Sequence, residues 1–123
     1  MNPIPLIALS LLVSPLFCDG NDGERLSIAA VLRDPVGLAG AHDIEIGEGI
    51  VFIAGKGASL AMIDVRQPET PSMLWSVQDV SKYENAESVL PLSGGRWLVG
   101  TRDIFLFDAA NSRMPRELVS IES

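Results

Sequence analysis

Apolar side chains along this chain fall into short runs separated by glycine, proline and charge. Residues 42–46 (HDIEI) alternate polar and apolar types, as a strand does. Residues 50–54 (IVFIA) run without a polar break and are β-branched or aromatic for the most part, which predicts a strand buried on both faces. Between them, Gly47, Glu48 and Gly49 supply the positive-φ positions of a hairpin. Gly55, Lys56 and Gly57 predict another turn, and residues 60–65 (LAMIDV) a third strand. A loop holding Pro68 leads to Pro71, which opens a fourth strand ending in Leu74, Trp75, Ser76 and Val77. Proline tolerates that position at a sheet edge, where its missing N–H removes no ladder bond.

A looser second copy follows over residues 86–121. Asp64 and Asp108 stand 44 positions apart, as do Pro71 and Pro115, and Leu74 and Leu118. Gly55 and Gly100 stand 45 apart, so the slip of one falls in a hairpin turn. Residues 50–54 match 96–100 (RWLVG), and residues 62–65 (MIDV) match 106–109 (LFDA). A period in the forties with four strands per unit is the spacing of propeller blades. The predicted fold is therefore all-β: antiparallel four-stranded blades of a β-propeller, incomplete, with blades over 41–77 and 86–121. Residues 26–32 (LSIAAVL) fall where the outer strand of a preceding blade belongs, and Arg33, Asp34, Pro35, Val36 and Gly37 form a turn-rich connector.

The first copy resembles the LVIVD repeat. The residues that carry the likeness are Val51, Phe52, Ile53, Ala54 and Gly55, then 60–65, Pro68, Pro71 and Leu74, with Ala41, His42 and Asp43 as the opening triplet. In the second copy the triplet is reduced to Ala86 and Glu87, and the first proline is missing. The resemblance implies a β-propeller on an exported or cell-surface protein, usually without an assigned activity.

The N-terminus agrees with export. Residues 1–17 carry no charged side chain and hold two apolar runs, 4–9 and 11–13. That is the length of a secretory leader and short of the ~20 residues a membrane span needs. Pro3, Pro5 and Pro15 argue against a regular strand there. Residues 1–20 are thus expected to be a signal peptide. Cys18 and Gly20 place small residues for a cut before Asn21, and lipid modification of Cys18 is the alternative. Residues 19–24 fail the calcium-loop spacing, with Gly23 where a third ligand belongs, and 21–25 are read as a solvated acidic linker. A single cysteine cannot close an intramolecular disulfide, so the core alone must hold the fold.

Charge narrows the partners. The formal net charge is −7 and the nine basic residues are scattered singly, which disfavours nucleic acid and anionic lipid surfaces. After leader removal no membrane span is expected. The expected partners are other proteins, further blades or copies of the same chain.

Candidate chemistry is sparse. His42, Asp43, Glu45 and, by repeat, Glu87 lie on or near the innermost strands, and an imidazole with carboxylates is a weak candidate for a divalent metal. Strand alternation sets His42 and Asp43 on opposite faces, so His42 is read instead as a local hydrogen-bonding residue that orders the strand entry. Asp64 and Asp108 end the third strands, where a carboxylate accepting backbone N–H groups steadies a turn; with Gly55, Gly100, Pro71 and Pro115 they are read as structural repeat positions. Residues 55–59 (GKGAS) fail the phosphate-loop spacing, and no GxSxG, HExxH or CxxC occurs. No catalytic residue and no cofactor is assigned. Trp75 and Trp97 are read as packing residues.

Repeat stacks generally need at least three units. An uncovered blade face exposes on the order of 500 Å², which at about 25 cal/mol per Å² forgoes on the order of 12 kcal/mol of burial. A whole domain is stable by only ~5–15 kcal/mol. Two blades alone are therefore expected to be marginal, the chain being a fragment, a truncated product or a protomer of a larger ring. The expected function is a non-enzymatic interaction or structural module. The alternative is a piece of a larger ligand-binding or enzymatic propeller whose site lies elsewhere.

Overall fold

The computed structural model describes residues 26–111 and 113–123. The readings of a leader, its cleavage site, Cys18 and the acidic linker lie outside these residues. Within them the chain is all-β, built as two four-stranded antiparallel sheets with one helical turn between.

The first sheet holds β1 (Ala41–Gly47), β2 (Ile50–Gly55), β3 (Ser59–Asp64) and β4 (Ser72–Gln78), paired in chain order. The second holds β5 (Ser88–Leu92), β6 (Arg96–Gly100), β7 (Ile104–Asp108) and β8 (Arg116–Ile121), again in chain order. Turn chemistry explains the order. Gly47 pairs with Ile50 across Glu48 (φ 52°) and Gly49 (φ 76°), a two-residue loop with both positions left-handed, whose twist suits adjacent strands. Such closure leaves each strand beside the one just made.

The repeat extends to an irregularity. The ladder from β3 to β4 slips between Met62 and Ile63, leaving Leu74 as the extra residue, and the ladder from β7 to β8 slips between Leu106 and Phe107, leaving Leu118. These positions are the ones the repeat aligns, so each outer strand bends at the same place. Pro71 and Pro115 immediately precede β4 and β8.

Alternation divides each sheet into two faces. Phe52, Ala54, Leu60 and Met62 of the first sheet pack on Val89, Trp97, Val99, Phe105 and Phe107 of the second in one buried cluster. Phe52 and Trp97 stack with ring centroids 4.9 Å apart, and Trp75 tilts over Phe107 at 6.1 Å. The opposite face of the first sheet, Val51, Ile53, Ala61 and Ile63, forms a second cluster with Leu38, and Leu32 packs against it.

The reading of residues 26–32 as a strand is corrected: they carry no strand pairing. Leu32 packs on the second cluster, whereas Leu26, Ile28 and Val31 stay exposed, so the run has a face to touch at one end and no ladder partner along it. Its connector is fixed from within. Asp34 Oδ1 accepts the N–H groups of Val36 (3.1 Å) and Gly37 (2.8 Å), an Asx-type turn. Ala39 O then accepts the Ser59 hydroxyl (2.8 Å) and the Gly57 N–H (3.2 Å), and Gly40 O accepts the Lys56 N–H (2.9 Å). The first sheet is therefore covered on both faces over its central strands, while Ile44 and Ile46 of β1 stay exposed.

Candidate functional site

Of the candidate side chains, Asp43 bridges the seam where β1 meets β5. A bulge between Ala41 and Asp43 displaces His42 from the ladder, and His42 is exposed. Among the described residues its ring makes no hydrogen bond, so the expected local role falls to its neighbour. Asp43 Oδ1 accepts the Ile44 N–H at 2.9 Å, and Asp43 Oδ2 reaches across the seam to the Val89 N–H at 2.8 Å. A carboxylate bound to two backbone donors is a positioned acceptor, because a charge-assisted bond in a half-buried place is stronger than a neutral one.

Glu45 lies on β1 opposite Phe52 and is exposed. Glu87 does not join it: its N–H donates to Gly100 O (2.9 Å) and its carboxylate pairs with Lys56 at 3.2 Å, both side chains about half exposed. Among the described residues no group of three or more His, Cys, Asp or Glu is placed to hold a metal.

Asp64 and Asp108 occupy equivalent turns. Each accepts the N–H two residues on, from Arg66 and from Ala110, at 3.0 Å in both cases. Asp64 adds a forked contact with the Arg66 guanidinium, through Nε at 3.0 Å and through Nη2. Hydrogen bonds from the Arg66 side chain and backbone hold its carboxyl down to about 2. Asp108 has Arg116 near, at 3.8 Å. Gly55 and Gly100 both sit where a side chain would collide: a Cβ at Gly55 would meet Ala39 O and Ser59 Oγ at 2.4 Å, and one at Gly100 would meet Ser88 Oγ at 2.3 Å.

The link between the sheets carries features that the alternation pattern does not announce. Residues Val80–Tyr83 form α1, a single turn capped by Asp79, whose carboxylate accepts the Ser81 N–H (2.9 Å) and hydroxyl (2.6 Å). Those bonds lower the Asp79 pKa. Tyr83 is buried edge-on against Phe105 at 5.2 Å, and burial raises its pKa. Lys82 pairs with Glu117 of β8, which raises the lysine. The one hint in the sequence is Asp79 two residues before Ser81, an N-cap signature too short to promise a helix.

A groove of about 280 Å³ opens at one end of the seam. Glu48 and Arg66 line it from the first sheet, Pro91, Ser93 and Gly95 from the second, with Met62 and Trp97 among the apolar lining. Arg66 is engaged by Asp64, so the groove offers backbone and one carboxylate more than a reactive set. Chemically, the seam binds sheet to sheet. No family model, curated protein or solved structure matches this chain.

Proposed function

We propose that the chain is a pair of LVIVD-type propeller blades, exported by its N-terminal leader, that serves as a non-enzymatic interaction module. The observation that carries this reading is the seam. Two like sheets stack face to face through Phe52, Trp97 and Phe107, and Asp43 fastens their innermost strands. Side-by-side stacking of repeated four-stranded sheets is how propeller blades bury their faces. The polar side chains that recur in both units are engaged in turns, as Asp64 and Asp108 show, and the second sheet carries open apolar positions, among them Leu90, Ile104, Val119 and Ile121. Exposed apolar faces of this kind mark interaction sites.

The test places a photo-crosslinking amino acid at Leu90, on the open face, in the native host. A covalent adduct to protein is the expected outcome, together with a mature N-terminus at Asn21 in an exported fraction. A chain that stays in the cytoplasm with its first residues intact, or that yields no protein adduct, overturns the reading.

A further inference from the structure

The outer face of the second sheet is apolar across all four strands. Leu90, Leu98, Leu106 and Val119 form one row in direct register. Ile104 and Ile121 pair in the next row, behind Ser88 and Gly100. Leu90 is 53%, Ile104 47%, Val119 49% and Ile121 61% exposed.

By repeat, this face is the counterpart of the one with which the first sheet packs on the second. Glu45, Phe52, Met62 and Trp75 form the equivalent row there. Two differences bear on what covers it. The first sheet presents Asp43 and Glu45 on its innermost strand and uses Asp43 to fasten its neighbour. The second presents Ser88 and Leu90, so it has no carboxylate to reach a following strand and is aliphatic where its counterpart is acidic.

Resting on the blade reading above, we propose that a second copy of this chain covers the face, sheet against sheet about a two-fold axis. A head-to-tail stack would instead set this face on the Val51 and Ile53 face of the next copy. There Leu38 is buried and Leu32 packs, and both would have to be displaced. Pairing like with like breaks nothing, and two-fold interfaces are the commonest in homo-oligomers. Four strands of about five residues measure roughly 19 by 17 Å, so two such faces span on the order of 650 Å², the size of a weak, concentration-dependent contact. The end row adds Arg96, Asp108 and Arg116, so the face adds no negative charge to a chain that carries −7.

Sedimentation equilibrium of the chain at about 100 μM, well above a micromolar Kd, is the test. The expected result is twice the single-chain mass of the same preparation, which begins at Asn21 so that the apolar leader takes no part. Ile104→Lys with Val119→Lys is expected to return it to single-chain mass with an unchanged far-ultraviolet spectrum, since both positions are half exposed. Should that variant not fold, Leu90→Thr with Val119→Thr keeps β-favouring side chains and is expected to weaken the dimer at least tenfold. Single-chain mass for the unmodified protein, a ladder of larger species, or a dimer that survives the face substitutions would each overturn the proposal. A single-chain mass joined to photo-adducts with another protein would sink self-pairing and leave the interaction reading standing.

Discussion

Asp43 Oδ2 accepts the Val89 N–H at 2.8 Å, joining the innermost strand of one sheet to that of the other across 46 residues of chain. Strands β1 and β5 share no ladder. One side chain therefore supplies at the seam what backbone pairing supplies elsewhere. Asp43→Ala leaves that N–H without its acceptor and is expected to destabilise the fold by ~1–3 kcal/mol. Asp43→Asn keeps an acceptor oxygen and is expected to cost less than half as much. Urea unfolding of the two variants checks the order, and equal effects would show that the bond itself contributes nothing.

The aromatic stack offers a second measurement. Phe52→Ala and Trp97→Ala should each cost ~3–5 kcal/mol, as large-to-small changes in a filled core do. Because the rings touch, the double variant is expected to fall short of the sum by ~0.5–1.5 kcal/mol. Strict additivity in a double-mutant cycle would mean the two sheets do not pack as described.

The repeated glycines should differ in their tolerance. A methyl group at Gly55 meets the fixed carbonyl of Ala39, whereas one at Gly100 meets the end of the Ser88 side chain. Gly55→Ala is expected to cost ~2–3 kcal/mol and Gly100→Ala about 1 kcal/mol or less. Adding Ser88→Ala to Gly100→Ala should recover most of the smaller loss in thermal melts, and Ser59→Ala should not rescue Gly55→Ala.

The covering segment can be tested by contrast within itself. Leu38 is 4% exposed against the Val51 and Ile53 face, while Leu26 is 66% exposed. Leu38→Ala should lower stability by ~2–4 kcal/mol and Leu26→Ala by less than about 0.5 kcal/mol. Similar values for both, measured by chemical denaturation, would mean the segment only drapes the surface.

Acid should expose the Asp64 turn. Its carboxyl titrates near 2 in the folded chain, below the usual ~3.9 of the unfolded state. A depressed folded value gives stability that is present above about pH 4 and is lost as pH falls toward 2. The Arg66 guanidinium is mostly in solvent, so screening keeps the contribution to a few tenths of a kcal/mol. Asp64→Asn should flatten this part of the stability profile between pH 4 and 2. An unchanged acid slope would assign the turn no role.

The strands were readable because their causes are local. The unbroken run 50–54 and the Glu48 and Gly49 loop each follow from neighbours in sequence, and the 44-residue echo of Asp64 in Asp108 repeats the same local signals. Residues 26–32 were not, since a short apolar run is equally suited to a ladder or to a face, and only its distant partners decide. The same holds at the seam. Nothing near Asp43 in the chain announces Val89, and the bulge that puts His42 in solvent depends on pairing with β2. The turn at Val80–Tyr83 went unpredicted because its stability comes from Tyr83 settling on Phe105, a contact made by folding.

The twin irregularities at Leu74 and Leu118 bear on how the molecule meets its surroundings. Each lies in an outermost strand that follows a proline, so the rim of each sheet is kinked and lacks a donor where a peptide would begin to zip on. Strand-by-strand accretion, the usual route from an open β-edge to fibrils, is therefore hindered at both outer rims. A broad sheet face is free of that hindrance, and there the fit between side chains decides what stays.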